Sequence, residues 1–187
     1  MLAQQPPDGA GATQSPDPAT TTRVPTFNPT SGSPGTMVQV ETLDLPAVTP
    51  VYLGMGATRS SFEVLTQLVT DENGSINVTV PVPPWATSDR THFFVIVDVY
   101  FRPLAVSAGY YVTDTDGTLA RRGVVVEEDG CLTLREQGQQ EQEREVYALS
   151  GEGTQDLRSG QEVLLEGTLA STSDCPGTPL RVTRVVR

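Results

Sequence analysis

The chain has 187 residues, of which 37% are hydrophobic, and its formal net charge is −11. The excess of acidic side chains disfavours binding to nucleic acid or to an anionic membrane surface, although acidity also serves solubility alone. All 12 basic residues are arginines, which excludes a Schiff-base lysine and a phosphate-binding P-loop lysine. The sequence has no apolar run of the length that a membrane-spanning helix needs, so we expect no membrane insertion.

Residues 1–23 form a Pro/Thr-rich segment without any apolar periodicity, and its composition predicts an extended or disordered arm. Ordering it would cost on the order of 25–45 kcal/mol of backbone entropy, so only a neighbouring molecule could hold it in one conformation. We predict that Thr22, Val24 and Phe27 contact a second copy of the chain by adding a strand to its sheet edge. The alternative is a linker or the remnant of a cleaved signal.

A period of two begins after the arm and indicates short β-strands separated by turn residues. The turn Asp71–Gly74 contains Asn-Gly, which predicts a hairpin between the strands on either side of it. Strands at this spacing predict an antiparallel sandwich. They are expected at residues 36–43, 50–54, 62–69, 75–80, 92–100 and 106–112.

Three stretches of this half, NPTSGSPGTMVQV, PVYLGMG and TDENGSINVTVPVPPWA, resemble bacterial extracellular immunoglobulin-like domains of the TIG type. The resemblance covers about residues 25–113 and implies an immunoglobulin-like β-sandwich at 24–113. It also implies a spacer or interaction module of secreted or cell-surface proteins, without intrinsic catalysis.

Beyond a polar linker at residues 114–118 the pattern changes to five strands in about 70 residues, which predicts a small closed barrel at 119–187. Gly160 and Gly167 stand where barrel strands begin or bend. The strands are expected at residues 121–127, 130–135, 145–149, 162–169 and 180–186.

The two cysteines, Cys131 and Cys175, have neither CxxC spacing nor enough histidine partners for a zinc site. We predict a disulfide between them, which is typical of an oxidising compartment. Two buried free thiols in a cytosolic protein are the alternative.

The second half resembles small secreted bacterial OB-like domains of unknown function through four motifs. The motifs are GCLTL at 130–134, YAL at 147–149, LRSGQEV at 157–163 and the cysteine at 175. The resemblance implies an OB-like barrel whose disulfide joins the second strand to the loop before the fifth, and it implies no activity. The predicted fold class is therefore all-β: an extended arm, a sandwich and a five-stranded barrel.

Two groups of polar residues are candidate sites. His92 follows Ser88 and Asp89, but three residues on one short extended run cannot form a catalytic triad. We expect a surface histidine whose replacement by alanine changes little. Asp114 and Asp116 resemble half of a calcium loop, which acidic residues at 127–129 could complete, and a plain polar turn is the alternative.

These observations predict a non-enzymatic secreted structural subunit of an extracellular homopolymeric assembly, such as a filament or surface layer, without a cofactor. The alternative is a monomeric cell-envelope protein, tethered by its tail, that recognises a glycan or protein. Trp85, Tyr110 and Tyr111 are the first candidates for exposed aromatic side chains in that case, although core packing also accounts for them. Oligonucleotide binding is disfavoured because the barrel sequence has one aromatic residue, Tyr147, and a net negative charge.

Overall fold

The computed structural model describes residues 23–57, 60–136 and 145–186, and it is built of β-strands without an α-helix in these ranges. The predicted all-β fold, a sandwich followed by a barrel, is confirmed. Most of the predicted arm, including Thr22, lies outside the described residues. The strands are β1 (Thr26–Asn28), β2 (Ser31–Gly32), β3 (Met37–Thr42), β4 (Pro50–Ala57), β5 (Phe62–Val69), β6 (Ile76–Pro81), β7 (Thr91–Asp98), β8 (Pro103–Val106), β9 (Tyr110–Val112), β10 (Thr118–Glu128), β11 (Cys131–Glu136), β12 (Val146–Ser150), β13 (Glu162–Leu169) and β14 (Thr178–Val186).

The sandwich consists of a three-stranded sheet, β1-β3-β6, and a six-stranded sheet in the order β2-β9-β7-β4-β5, with β8 also paired to β7. Alternate residues point inward, as β3 shows: its buried residues are Val38, Val40 and Thr42, and the residues between them are exposed. The core is therefore assembled by the period-two pattern that the sequence displays. Its largest members, each fully buried, are Leu53, Met55, Phe94, Ile96 and Tyr110.

The Asn-Gly turn does not make the predicted hairpin, because β5 pairs with β4 and β6 pairs with β3. Residues Asp71–Gly74 instead carry the chain from one sheet to the other. The Asp71 carboxylate accepts hydrogen bonds from the backbone N–H groups of Asn73 and Ser75. Gly74 has a φ of +73°, and a β-carbon there would lie 1.9 Å from the carbonyl oxygen of Leu45, so only glycine fits. Asn-Gly therefore marks a turn here, but the strands around it belong to different layers.

Two short strands at the start of the sandwich, β1 and β2, were not predicted from the sequence. β1 pairs with β3, and its Phe27 ring lies 5.6 Å from the ring of Phe94 and 5.8 Å from that of Tyr110. The predicted strand at 106–112 is in fact two strands, β8 and β9, which contact different parts of β7.

The second group of strands closes into a barrel in the order β10-β11-β12-β14-β13. The β12–β14 pair is parallel and the other neighbours are antiparallel, which is the arrangement of an OB-like barrel. The strand pairing shifts by one residue between Glu166 and Gly167. A β-carbon at Gly167 would lie 2.4 Å from the carbonyl oxygen of Arg181, so the predicted bend needs a residue without a side chain.

The predicted disulfide is present between Cys131, the first residue of β11, and Cys175, in the loop before β14. The two Cα atoms lie 5.5 Å apart, and the alternative of two free thiols is wrong. Such a bond is typical of a protein from an oxidising compartment. None of the described segments forms a helix long and apolar enough to cross a membrane.

Candidate functional site at the junction of the two domains

The most heavily buried charged group in the described chain is Arg121, on β10, whose side chain has no exposed surface. The strand alternates, and Arg121 falls on the inward face with Leu119 and Val125. A buried guanidinium is costly unless charged and hydrogen-bonding groups surround it. The residues that surround the guanidinium therefore form a specific polar site.

The guanidinium of Arg121 connects the barrel to the sandwich. Its Nε donates to the hydroxyl oxygen of Tyr147 at 2.7 Å and lies 3.3 Å from a carboxylate oxygen of Glu136, both in the barrel. Its Nη1 donates to the carbonyl oxygen of Ser88, in the loop before β7 of the sandwich, at 2.6 Å. The same carbonyl accepts a 3.0 Å bond from the backbone N–H of Ala120. One loop of the sandwich is thus held by both the backbone and the side chain of β10.

A second carboxylate, that of Glu145, completes the polar cluster. Thr91 of the sandwich donates its hydroxyl hydrogen to Glu145 Oε2 at 2.6 Å, and the hydroxyl of Tyr147 donates to the same oxygen. Burial raises the pKa of Tyr147 well above its ordinary value, so the phenol stays protonated at every physiological pH. The cluster therefore combines one arginine, two carboxylates and neutral hydroxyl groups across the domain boundary. We call Arg121, Glu136, Glu145, Tyr147 and Thr91 the junction cluster.

Tyr111, on β9, extends this contact. Its hydroxyl lies 2.7 Å from Oγ1 of Thr178 at the start of β14. The Arg121 guanidinium carbon lies 5.9 Å from the centre of the Tyr111 ring and 5.4 Å from that of Tyr147, within the range of cation–π attraction. Burial also raises the pKa of Tyr111. The junction is thus packed by aromatic rings as well as joined by hydrogen bonds.

The chemistry of the junction cluster suits positioning rather than turnover. Most of its polar atoms are paired within the cluster, the exception being the buried Nη2 of Arg121, which has no hydrogen-bond partner, and the arginine has no surface open to solvent. Buried polar networks of this kind rigidify their surroundings, because any other geometry would leave a buried charge without a partner. The arrangement therefore holds the sandwich and barrel in one relative orientation.

The sequence analysis did not identify the junction cluster. A signal existed in the strand 119–125: alternation places Arg121 in register with Leu119 and Val125, on the apolar face. An arginine at an inward position indicates a buried ionic partner. The partners themselves come from distant strands, so one sequence cannot name them.

The candidate calcium loop is a tight turn between β9 and β10. The carboxylate of Asp116 accepts the backbone N–H of Thr118, and that of Asp114 accepts the hydroxyl of Ser88 at 2.9 Å. The acidic residues at 127–129 lie at and beyond the far end of the 11-residue strand β10 and cannot approach these two carboxylates. Over the described ranges, no three His, Cys, Asp or Glu side chains are grouped to hold a metal ion.

His92 is not the expected surface histidine, because only 1% of it is exposed. Its ring centre lies 5.8 Å from that of Trp85, and its Nδ1 lies 3.2 Å from the carbonyl oxygen of Arg90. The expected surface position is therefore wrong, because the imidazole ring packs against the indole ring of Trp85 inside the fold.

The pKa of His92 provides a test of this burial. Removal from water disfavours the imidazolium ion and lowers the pKa below the ordinary value of 6.5. The unfolded chain then gains a proton at a higher pH than the folded chain does. We expect the His92 contribution to stability to be complete above pH 6.5 and to fall as the pH drops toward the folded-state pKa.

The measurement is an NMR titration of the ring protons, which is unambiguous because the chain has one histidine. Unfolding free energies of the wild type and His92→Gln between pH ~4.5 and ~8.5, about two units either side of the ordinary pKa, supply the control. The difference between the two proteins should shrink as the pH falls. A folded-state pKa at or above the ordinary value would contradict the prediction.

Of the three aromatic residues considered for exposure, Tyr110 and Tyr111 follow the core-packing alternative and Trp85 is partly exposed. Tyr110 is fully buried, Tyr111 lies in the junction and Trp85 is 37% exposed. The exposed rings belong to the turn between β7 and β8, where Tyr100 is 76% exposed and Phe101 is 56% exposed. This is the only described turn that presents two adjacent aromatic side chains to solvent.

The predicted subunit-contact residues are placed as follows. Thr22 lies outside the described residues, and Val24 is 58% exposed. Phe27 packs against Phe94 and Tyr110 of its own sandwich, so this ring serves its own core. Arg23 is held against β8, because its backbone carbonyl oxygen accepts a 3.1 Å hydrogen bond from the backbone N–H of Val106.

Neither the family models nor the curated proteins compared with this sequence match it. Among solved structures, macromomycin is similar to 49% of this chain over 100% of its own length, with 17% identity and a TM-score of 0.41.

Proposed function

We propose that this protein is a non-enzymatic, secreted structural subunit of an extracellular homopolymer, joined to its neighbours by strand addition through the N-terminal arm. The observation that supports the proposal is the exposed edge of β5, the last strand of the six-stranded sheet. As far as the chain is described, β5 pairs with β4 and with no other strand. It is eight residues long and contains no proline, and its Val64 and Val69 are 38% and 61% exposed.

An edge of this kind is a template for another strand, and proteins that stay monomeric usually protect it. The other outer strands of the sandwich are shorter than β5, and β2, at the opposite end of the six-stranded sheet, has two residues. β1 has three residues, β8 begins with Pro103 and is bordered by Arg23, and β6 ends at Pro81 shortly before Pro83 and Pro84. The contrast within one sandwich favours an intermolecular role for β5.

The junction cluster also supports a structural role. A subunit that transmits position along a polymer needs its two domains to move as one body, and the buried Arg121 network provides this coupling. The disulfide adds to the stability of the barrel and fits the secretion that the two resemblances imply. The TIG-type resemblance of the sandwich points in the same direction.

A second candidate is the monomeric cell-envelope protein that binds a glycan or protein. This candidate is favoured by the turn between β7 and β8. In that turn the ring of Phe101 stacks on the ring of Tyr52, with 5.5 Å between the ring centres and an angle of 6° between the ring planes. Phe101 has a φ of +61°, which is unusual for a bulky residue and costs conformational energy. Arg102 lies over the Tyr100 ring at 5.3 Å. Exposed aromatic groups held in this way are typical of recognition surfaces.

Deletion of residues 1–22 distinguishes the two candidates. We expect the full chain to form polymers visible by electron microscopy and the deleted chain to remain monomeric in light scattering. The deletion should leave the thermal midpoint nearly unchanged, because it spares Arg23 and its bond to β8.

Polymers that persist without the arm would refute its role. A full chain that stays monomeric at high concentration would instead favour the binding protein. A Tyr100→Ala variant of the full chain serves as the control, since it alters the exposed aromatic turn and should leave assembly intact.

A further inference from the structure

We propose that the β5 edge of one copy receives residues Thr20, Thr21 and Thr22 of a second copy, and not those of its own chain. The inference rests on the proposed function and deepens it by naming the acceptor strand, the donor residues and the direction of growth. It is carried by the position of Arg23 relative to β5 and by the groove beside β5.

The acceptor is more than a bare edge. Beside β5 runs a groove of about 490 Å³ between the two sheets of the sandwich. Apart from Glu63 its lining carries no charge, and it is dominated by proline, valine and leucine side chains: Pro34, Val64, Leu65, Pro81, Val82, Pro83 and Pro84. An incoming strand would therefore gain backbone hydrogen bonds from β5 and apolar contact from the groove.

The donor is chosen by β propensity and by charge. Residues 20–22 are three consecutive threonines, the only run of β-branched residues in the first 22 positions. They are uncharged, which suits the apolar groove. The prolines at positions 16 and 18 confine strand pairing to the residues after them.

The short stretch of chain between Thr20 and Arg23 prevents the threonines of one copy from reaching β5 of the same copy. Arg23 is bonded to β8, and the sheet runs from β8 through β7 and β4 to β5. A strand outside β5 lies four strand spacings from β8, or about 19 Å at ~4.8 Å for each spacing. Thr20 is three residues from Arg23 and can lie at most ~10 Å from it even when fully extended. Only a second copy can place these threonines on β5.

The same geometry sets the form of the assembly. Each copy donates its arm from the β8 side of the six-stranded sheet and accepts at β5 on the opposite side. Donor and acceptor are different surfaces, so the contact is heterologous and repeats from copy to copy. Such contacts, repeated from copy to copy, produce an open chain or a ring, whereas a two-fold dimer requires two copies to exchange arms.

The test uses engineered disulfides in the full chain, whose two native cysteines are already paired. Thr21→Cys and Gln67→Cys chains, mixed and oxidised, should give a cross-linked heterodimer. The double variant should give a ladder of multimers on a non-reducing gel. Gln67 is an exposed residue of β5, and Thr79, exposed on β6, provides the matched control. Thr21→Cys mixed with Thr79→Cys should lose the cross-link.

A second variant tests the edge without cysteines. Val64→Lys places a charge on β5 and should abolish polymers while the monomer keeps its thermal midpoint, because Val64 is already 38% exposed. Val99→Lys, at a residue 45% exposed in the turn after β7, should still assemble.

Three results would overturn the proposal. A double variant that forms an internal cross-link within a monomer would show that the arm reaches β5 of its own chain. Wild-type polymers together with an absent Thr21–Gln67 cross-link would place the acceptor elsewhere and leave the proposed function standing. A wild type that never assembles would remove the proposed function as well.

Discussion

Replacing Arg121 with alanine is expected to lower the free energy of unfolding by about 3 kcal/mol. The change deletes a fully buried cation and removes the ion-pair partner of the Glu136 carboxylate. Breaking a buried ion pair in this way costs about 3–5 kcal/mol. We expect the lower end of that range, because the Glu136 side chain is 22% exposed and water can partly solvate it.

Arg122→Ala is the matched control, since the next residue of β10 is also an arginine and its side chain is exposed. Chemical denaturation should show a change within about 0.5 kcal/mol for this variant. Small-angle scattering adds a second readout. Loss of Arg121 should broaden the distribution of distances between the two domains, whereas loss of Arg122 should not. Equal stability of the two variants would contradict the role assigned to the junction cluster.

The strands were largely predictable, because burial on one face of a sheet imposes a period of two on the residues themselves. β5 and β13 have the bounds expected from the sequence, and the inward positions of β3 follow its alternation. The pairing of strands was less predictable. The Asn-Gly turn at 73–74 has the local chemistry of a hairpin, yet β5 and β6 join different sheets. Local residues determine that the chain turns, whereas the packing of the whole sandwich determines which strand it meets.

The partners of Arg121 and the burial of His92 could not be predicted from the sequence, for a related physical reason. Arginine and histidine are usually exposed, and their burial is tolerated only when partners exist. The partners of Arg121 come from residues 88, 136 and 147, so the burial of one residue depends on contacts across both domains. The disulfide was predictable because cysteines are few, and two without metal-ligand spacing leave few roles.

The second large effect expected is the loss of the disulfide. Cys131→Ser together with Cys175→Ser should lower the free energy of unfolding by about 4 kcal/mol. The bond closes a loop with a sequence separation of 44, and opening it restores conformational freedom to the unfolded chain. Both cysteines are replaced together so that no reactive thiol remains.

The measurement is chemical denaturation of the double variant. The control is Ser171→Ala, a change at an exposed residue in the same loop as Cys175, which should alter the free energy of unfolding by no more than about 0.5 kcal/mol.

Intact mass before and after reduction of the wild type should differ by two hydrogens. Because the bond joins β11 to the loop before β14, its loss should act on the barrel. Hydrogen exchange should therefore quicken in β11 and β14 first, while the sandwich strands β4 and β7 keep their protection. Unchanged stability, or exchange that quickens first in the sandwich, would contradict this account of how the barrel is held.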